Sequence, residues 1–292
     1  MVALGAIFRP QLPPERLRDV VRAAEGAGLE QLWLWEDCFL EGGIATAAAA
    51  LAWTDRLRVG VGALPVPLRA VTLTAMEAAT LHRMFPGRLV VGVGHGIQEW
   101  MGQAGVRAGS PLTLLREHLD ALRALLRGEE VTRQGRYVTL DRVALGWPPA
   151  GAPPVLAAVA GPRSLHLSGA AADGTVLSAG TTPDAVRRAR AAIDAGRAEA
   201  GRDDHHELVV NLHAATGPGA EGRLRAELEH WYAASGPELG VSGDADAVAA
   251  AVRRLADAGA DTVVLQPSPD EPDPEGFVRF AAGPVAEALR HR

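Results

Sequence analysis

Phe85–Gly102, FPGRLVVGVGHGIQEWMG, reads as a turn, a buried strand and a loop. Pro86-Gly87 signals the turn, and Arg88 to Val93 is a short β-branched run of the kind a parallel sheet buries on both faces. Gly92, Gly94 and Gly96 then bring backbone close to something, and His95 stands between them at the carboxyl end of the strand. In parallel α/β sheets that end is where ligands bind. A bland alternative is that the glycines only permit a tight strand exit and that His95 is structural.

Outward from this strand the same rhythm recurs. Residues 2 to 8 are apolar and are followed by a helical period in Leu17, Val20, Val21, Ala24 and Ala27, closed by Gly28. Gln31 to Glu36 precedes a helix over Ile44 to Trp53, and Leu57 to Leu64 precedes one over Val71 to Met84. Leu112 to Leu126 is an amphipathic helix with Leu115, Leu119, Leu122 and Leu126 on one face. Between Gly128 and Pro154 the rhythm breaks: VTRQGRYVTL forms two short segments about Gln134-Gly135, an inserted hairpin, and a Pro-rich loop follows.

The alternation resumes with strand Val155 to Val159, helix Arg163 to Ala171, strand Thr175 to Ser178 and helix Asp184 to Glu199. Leu208 to Ala214 is a strand followed by a helix through Leu224, Leu228 and Trp231. Thr262 to Gln266 precedes a helix over Phe277 to Leu289, and an extra helix over Ala245 to Ala258 has Ser242, Asp244 and Asp246 as candidate N-caps and Gly259 as C-cap. Eight such units without a compositional break predict an α/β fold, a single (β/α)8 TIM barrel with the hairpin inserted between strands 4 and 5. A doubly wound open sheet is disfavoured because no Gly-x-Gly-x-x-Gly opens a helix after the first strand.

Composition excludes several function classes. The chain has 292 residues, 48% of them hydrophobic, and no apolar run reaches the ~18 residues of a membrane span. A net charge of −6 without runs of like charge argues against nucleic acid or an anionic membrane as partner. All 29 basic side chains are arginines, so Schiff-base lysine chemistry is excluded and any anion must be held by arginine, hydroxyls or backbone N–H groups. With Cys38 alone no internal disulfide forms, and the opening VALGAIF lacks the marks of a signal peptide; a cytoplasmic enzyme is expected.

In a barrel the active site is assembled from residues just past each strand. Two groups stand out. Gly161-Pro162-Arg163-Ser164 and Ser178, Gly180, Thr181 and Thr182 each lie between a strand and a helix, so two adjacent helix N-termini can face an anion, although either turn alone has a purely structural reading as a helix cap. Asp37 and His95 form the second group, a carboxylate and an imidazole able to exchange a proton; Asp37 has an alternative role as a helix cap near Gly42, and Glu36 as a surface charge. Trp35 and Trp100 read as core or lid packing, and Cys38 as a small buried residue. Asp204-His205-His206 precedes a strand, at the wrong end of the barrel, and no metal is expected.

These residues carry a resemblance over essentially the whole chain. AGLEQLWLWEDCF, RLRVGVGALPVPLRAVTLTAMEAATLHRMFPGRLVVGVGHGIQEWM, AAVAGPRSLHLSGAAADGTVLSAG and GDADAVAAAVRRLADAGADTVVLQP together resemble the bacterial luciferase-like monooxygenase superfamily. The branch is that of coenzyme F420-dependent oxidoreductases similar to methylene-tetrahydromethanopterin reductase. The resemblance implies one barrel domain over residues 1–292 with an insertion at about 128–154, usually a homodimer. It implies a cofactor ring in the barrel mouth backed by a bulge after the third strand, here Ala63, Leu64 and Pro65, often with a non-prolyl cis peptide. It places the cofactor phosphate on Gly161, Pro162, Arg163, Ser178, Gly180 and Thr181, and the substrate pocket near Cys38 and Trp100.

Related deazaflavin dehydrogenases carry Asp-His after the second strand and Gly-x-Gly-Glu after the fourth, where this chain has Asp37-Cys38 and Gly92-Val93-Gly94-His95. The departures point away from a sugar phosphate and put proton transfer on His95 with Asp37 in support. The implied function is F420-dependent hydride transfer to or from a small organic molecule. Alternatives are an FMN-dependent monooxygenase supplied by a partner flavin reductase, and a non-catalytic flavin-binding barrel.

Overall fold

The structure, a computed structural model, describes residues 2–232 and 238–291. Eight parallel strands close into a barrel in the order β1 (Ala3–Ile7), β2 (Gln31–Leu34), β3 (Arg58–Pro65), β4 (Leu89–Gly94), β7 (Val155–Ala158), β8 (Gly174–Leu177), β9 (Glu207–Ala215) and β11 (Thr262–Gln266), which returns to β1. The antiparallel hairpin β5 (Val131–Gln134) and β6 (Thr139–Val143) is inserted between β4 and β7. Short β10 (Gly240–Ser242) pairs only with the end of β9. Around the barrel run α1 (Leu17–Ala27), α2 (Gly43–Ala52), α3 (Val71–Met84), α4 (Gln98–Gln103), α5 (Pro111–Leu126), α6 (Pro162–Ala171), α7 (Pro183–Glu199), α8 (Ala220–Trp231), α9 (Ala245–Asp257), α10 (Pro274–Phe280) and α11 (Ala286–Arg290).

Strand alternation sorts the apolar residues into two cores. Ile7, Trp33, Val90, Leu156, Val176, Val209 and Val264 point inward and form a cluster inside the barrel. Their neighbours Ala6, Leu32, Val91, Ala157, Val210 and Val263 point outward into the larger core beneath the helices. Trp33 fills the lower barrel, its Nε1 donating to Gln31 Oε1 at 3.0 Å. This ring dictates its neighbour on β3: a Cβ on Gly60 would lie 2.4 to 2.6 Å from three atoms of the indole, so only glycine fits there.

Most predicted elements stand within one or two residues of their expected ends. The predicted helix over Phe277 to Leu289 is instead three pieces, because Pro284 has no N–H for an α-helical bond and Ala281–Val285 winds as a π-helical turn between α10 and α11. Among the three candidate caps of α9, Asp244 accepts from the N–H of Ala247 at 3.0 Å. The helix α4 and the three-residue β10 are too short for a periodicity to reveal. The inserted hairpin is pinned by Glu117 of α5, whose carboxylate accepts the backbone N–H groups of Arg136, Tyr137 and Val138 at 2.9, 2.8 and 2.9 Å.

Candidate active site

A cavity of about 550 Å³ opens at the carboxyl ends of the barrel strands. Its lining divides into two arcs of adjacent strands. On β3, β4 and β7 the inward positions are Gly62, Ala63, Gly94 and Ala158, so this wall is nearly bare backbone. On β9 and β11 they are Asn211, His213 and Gln266, and just past β1 and β2 the cavity is lined by Arg9, Trp35 and Asp37, together a wall dense in hydrogen-bonding groups.

The bare wall carries the expected bulge. The pairing of β3 with β4 slips between Val61 and Leu64, and the Gly62–Ala63 peptide within that slip is cis. Ala63 and Pro65 face the cavity, whereas Leu64 is fully buried with its side chain turned out against α2 near Gly43. The bulge thus contributes two of the three residues expected from it. Just above, His95 enters from the end of β4 with Nε2 3.4 Å from Ser164 Oγ at the start of α6. Burial lowers its pKa, favouring the neutral ring.

Asp37 lines the same cavity from just past β2, with one strand, β3, between it and β4. Burial raises its pKa, with Trp35, the Arg9 charge and Gln11 partly opposing the shift. The cap role considered for Asp37 belongs to Glu36, whose Oε2 accepts the Gly43 N–H at 2.8 Å where α2 begins. Glu36 is no surface charge either: it pairs with Arg69 at 3.1 Å, and Arg69 also binds Glu77 at 2.6 Å. Asp37 is therefore left to the cavity. Cys38 is partly buried and absent from the lining; burial, with Glu36 and Asp37, pushes its thiol up and away from thiolate chemistry. Trp100, on α4, does line the cavity.

Arg9 and His213 stand at strand ends, where a barrel places its site, whereas Asn211 and Tyr232 carry no local sequence signal. Tyr232 follows α8 and donates its hydroxyl to Ala179 O at 2.6 Å. Its oxygen lies 3.3 Å from His213 Nε2, so with the hydroxyl proton directed to Ala179, His213 donates from Nε2 and its buried Nδ1 is a bare acceptor without a partner among the described residues. Burial pushes His213 down to about 4, so this ring is neutral at physiological pH. Asn211 Oδ1 is the second unpartnered buried atom on the polar wall. Arg9, 2% exposed, forms a 2.6 Å ion pair with Glu227 of α8, which joins the end of β1 to a helix more than two hundred residues away.

The two turns expected to face an anion lie beside one another, since α6 follows β7 and α7 follows β8. Gly161, Pro162 and Arg163 are exposed at the N-terminus of α6. Ser178 lines the cavity, Thr181 donates to Ser178 O at 2.7 Å, and Thr182 caps α7 by accepting from Ala185 N at 3.3 Å. Gly180 has φ +80°, and a Cβ there would meet the Tyr232 hydroxyl, so glycine is required on both counts. At the other end of the barrel His206 accepts or donates to Thr175 Oγ1 at 2.8 Å, and Asp204 pairs with Arg202. Among the described residues no group of three metal-ligating side chains occurs. No described helix is long and apolar enough to cross a membrane.

Comparison with known proteins agrees with this fold. A family model described as luciferase-like monooxygenase matches residues 5–264. The 5,10-methylenetetrahydromethanopterin reductase of Methanolobus tindarius is 27% identical over 205 residues, 69% of this chain and 61% of that one. The F420-dependent glucose-6-phosphate dehydrogenase of Nakamurella multipartita is 31% identical over 188 residues, 59% of this chain and 55% of that one. The chain thus spans about three fifths of the length of the curated relatives it matches. Among solved structures, the coenzyme F420-dependent tetrahydromethanopterin reductase of Methanopyrus kandleri superposes with a TM-score of 0.85 at 20% identity, covering 99% of both chains.

Proposed function

Because the chain belongs to the luciferase-like monooxygenase family, we propose that it is a coenzyme F420-dependent oxidoreductase acting on a small organic molecule. The observation that carries this reading is the pairing of a bare wall with a polar one across a single cavity. A planar ring needs a surface without side chains on one face, which Gly62, Ala63, Gly94 and Ala158 supply. It also needs polar partners for its edges, and the unpartnered Asn211 Oδ1 and His213 Nδ1 are such groups. The residues present therefore fit a deazaflavin or flavin ring. Gly161, Pro162, Arg163, Ser178, Gly180 and Thr181 would hold its phosphate at the two helix N-termini.

F420, when bound, supplies a hydride donor or acceptor. The chain's own part is to place the substrate carbon against the ring, to exclude water, and to move one proton. His95 is assigned the proton because it is neutral, reaches the cavity and is steadied by Ser164. Asp37 supports it electrostatically from the end of β2, in the same cavity. The enzyme is proposed to work in the cytoplasm. We also assign it a homodimer through α3, whose outer face carries Leu73, Met76 and Met84 at 45, 58 and 63% exposure with Thr80 between them. A lone helix would present charges there.

Binding of F420 and of FMN to the purified protein, followed in parallel by absorbance and fluorescence, tests the assignment. Tight F420 with weak FMN is the expected result. Preference for FMN would move the protein to the monooxygenases, with a partner flavin reductase. Binding of neither would overturn the phosphate site. Binding without turnover after a substrate screen, unchanged in His95→Gln, would indicate a non-catalytic barrel.

A further inference from the structure

Arg9 is the single permanent cation among the described residues that line the cavity. Its guanidinium faces the cavity beside Trp35, 5.8 Å from that ring's centre, while Glu227 stands behind it outside the lining. One Nη1 serves both Glu227 Oε1 at 2.6 Å and Pro267 O at 3.1 Å, and Nε donates to Gln11 Oε1 at 3.1 Å. Arg9 and Glu227 are 2 and 6% exposed, so water does little to screen either. A ligand therefore meets a compensated pair in place of a free positive charge. The lining acids offer no cation: Glu36 is already paired with Arg69, and Asp37 is a carboxyl.

The rest of the substrate space is apolar. Trp35, Ile97, Trp100, Val159, Val176 and Trp231 surround it, and Ile97 and Trp231 are 43 and 48% exposed at its mouth. Exposed apolar rims of this kind are stabilised when an apolar ligand covers them.

We propose that this cavity selects an uncharged, largely apolar substrate bearing one hydroxyl or carbonyl group, and that Glu227 is the specificity-determining residue that keeps anions out by neutralising Arg9. The hydroxyl or carbonyl rests on the oxidoreductase reading above; the rejection of anions rests on the ion pair alone. Phosphorylated and carboxylate substrates would have to bind without a free cation, next to Asp37, and lose the hydration of their charge.

The test is calorimetric titration of the protein, with and without F420, using cyclohexanol and cyclohexanecarboxylate as matched neutral and anionic probes. Wild type is expected to bind the alcohol at least about tenfold more tightly than the carboxylate. Glu227→Gln unmasks Arg9 and is expected to strengthen the carboxylate about tenfold or more while moving the alcohol less than about threefold. The double variant Arg9→Gln/Glu227→Gln, which buries no unpaired charge, is expected to return to the wild-type preference. Equal or tighter carboxylate binding by wild type, binding of neither probe, or a folded Glu227→Gln with an unchanged ratio would each overturn the proposal. Should Glu227→Gln fail to fold, the double variant decides, and loss of its preference for the alcohol overturns the proposal. F420 binding in the same samples is a separate readout, so failure of the cofactor assignment is seen independently of the probe ratio.

Discussion

Replacing Gly60 by alanine should damage this barrel out of proportion to one methyl group. The new Cβ would sit 2.4, 2.6 and 2.6 Å from three atoms of the Trp33 indole, against an ordinary contact of about 3.5 Å or more. The ring must therefore move by about 1 Å. It has nowhere to go, because Ile7, Val90, Leu156, Val176, Val209 and Val264 enclose it and each is at most 3% exposed. Overpacking of this kind costs about 1–3 kcal/mol, and the closed surroundings place this case near 3. For a chain of this length about 2 °C of Tm accompanies each kcal/mol, so a drop of about 6 °C is expected in a thermal melt followed by circular dichroism. Gly26→Ala in α1 is the control: no atom lies within 4 Å of its Cβ, and the same chemical change there should raise stability by about 0.4–1 kcal/mol. Because Gly62 also touches the Trp33 ring, at 3.1 Å from a virtual Cβ, Gly60→Ala should weaken F420 binding as well. Trimming the indole should relieve the clash, so Trp33→Leu/Gly60→Ala is expected to lose less than the sum of its single variants by at least about 1 kcal/mol. A Gly60→Ala protein that melts at or above wild type, or costs that simply add, would refute the account of the barrel floor.

His95→Gln keeps a hydrogen-bonding side chain but removes the titrating proton, and should lower kcat by about 10²–10⁴-fold while F420 binding stays within about threefold. With its pKa lowered by burial, the wild-type rate should be level through neutrality and fall only below the ordinary imidazole range; an acid limb centred above that range would contradict the assignment. Glu117→Gln should loosen the inserted hairpin. Burial pushes the Glu117 carboxyl up, but three backbone N–H donors and Arg133 outweigh it and hold the group below its usual value. A lowered folded pKa means stability present above the unfolded value and lost as pH falls through the folded one. The Tm gap between wild type and Glu117→Gln should therefore be largest near neutrality and shrink as pH drops below about 4; a gap independent of pH would refute the charge-based anchor. Met76→Glu, on the outer face of α3, should convert a dimer into a monomer by light scattering without altering the far-ultraviolet spectrum, and a dimer that persists would place the interface elsewhere.

The barrel was legible because eight strands and their helices each announce themselves locally, through β-branched runs, apolar periods and glycine stops. The site was legible only where its residues lie within a few positions of a strand end. His95, Asp37, Ala63 and Ser178 met that condition and line one cavity. Leu64 did too, yet the bulge turns its side chain outward, and a strand-end rule has no means of counting a slipped residue. Glu36 and Asp37 show a different limit: either could cap α2 by spacing, and the choice is settled by Arg69, thirty-three residues away, drawing Glu36 toward α2 and α3. Tyr232 and Glu227 were beyond reach, since each acts through partners brought together only by closure of the barrel.

That closure also explains why the cavity is two-faced. One bulky residue on β2, Trp33, occupies the lower barrel and forces glycine onto the facing position of β3. Alternation then repeats the choice one layer up, at Gly62, and β4 continues it with Gly92 and Gly94, where a Cβ would lie 2.8 Å from Val61 O and 3.0 Å from Ala158 O. Glycines required on β3 by the tryptophan and on β4 by neighbouring backbone thus leave a bare wall above the barrel floor. On the other arc the crowding is confined to Gly5 of β1, low in the barrel, where a Cβ would lie 3.2 Å from the Trp33 ring, and above it polar side chains from β9, from β11 and from just past β1 reach in. A planar ligand with polar edges would be held by both arcs, β3, β4 and β7 offering its face a bare wall and Asn211 and His213 offering hydrogen-bonding partners to its edges, and the apolar space between Trp35, Trp100 and Trp231 would remain for the molecule that reacts with it.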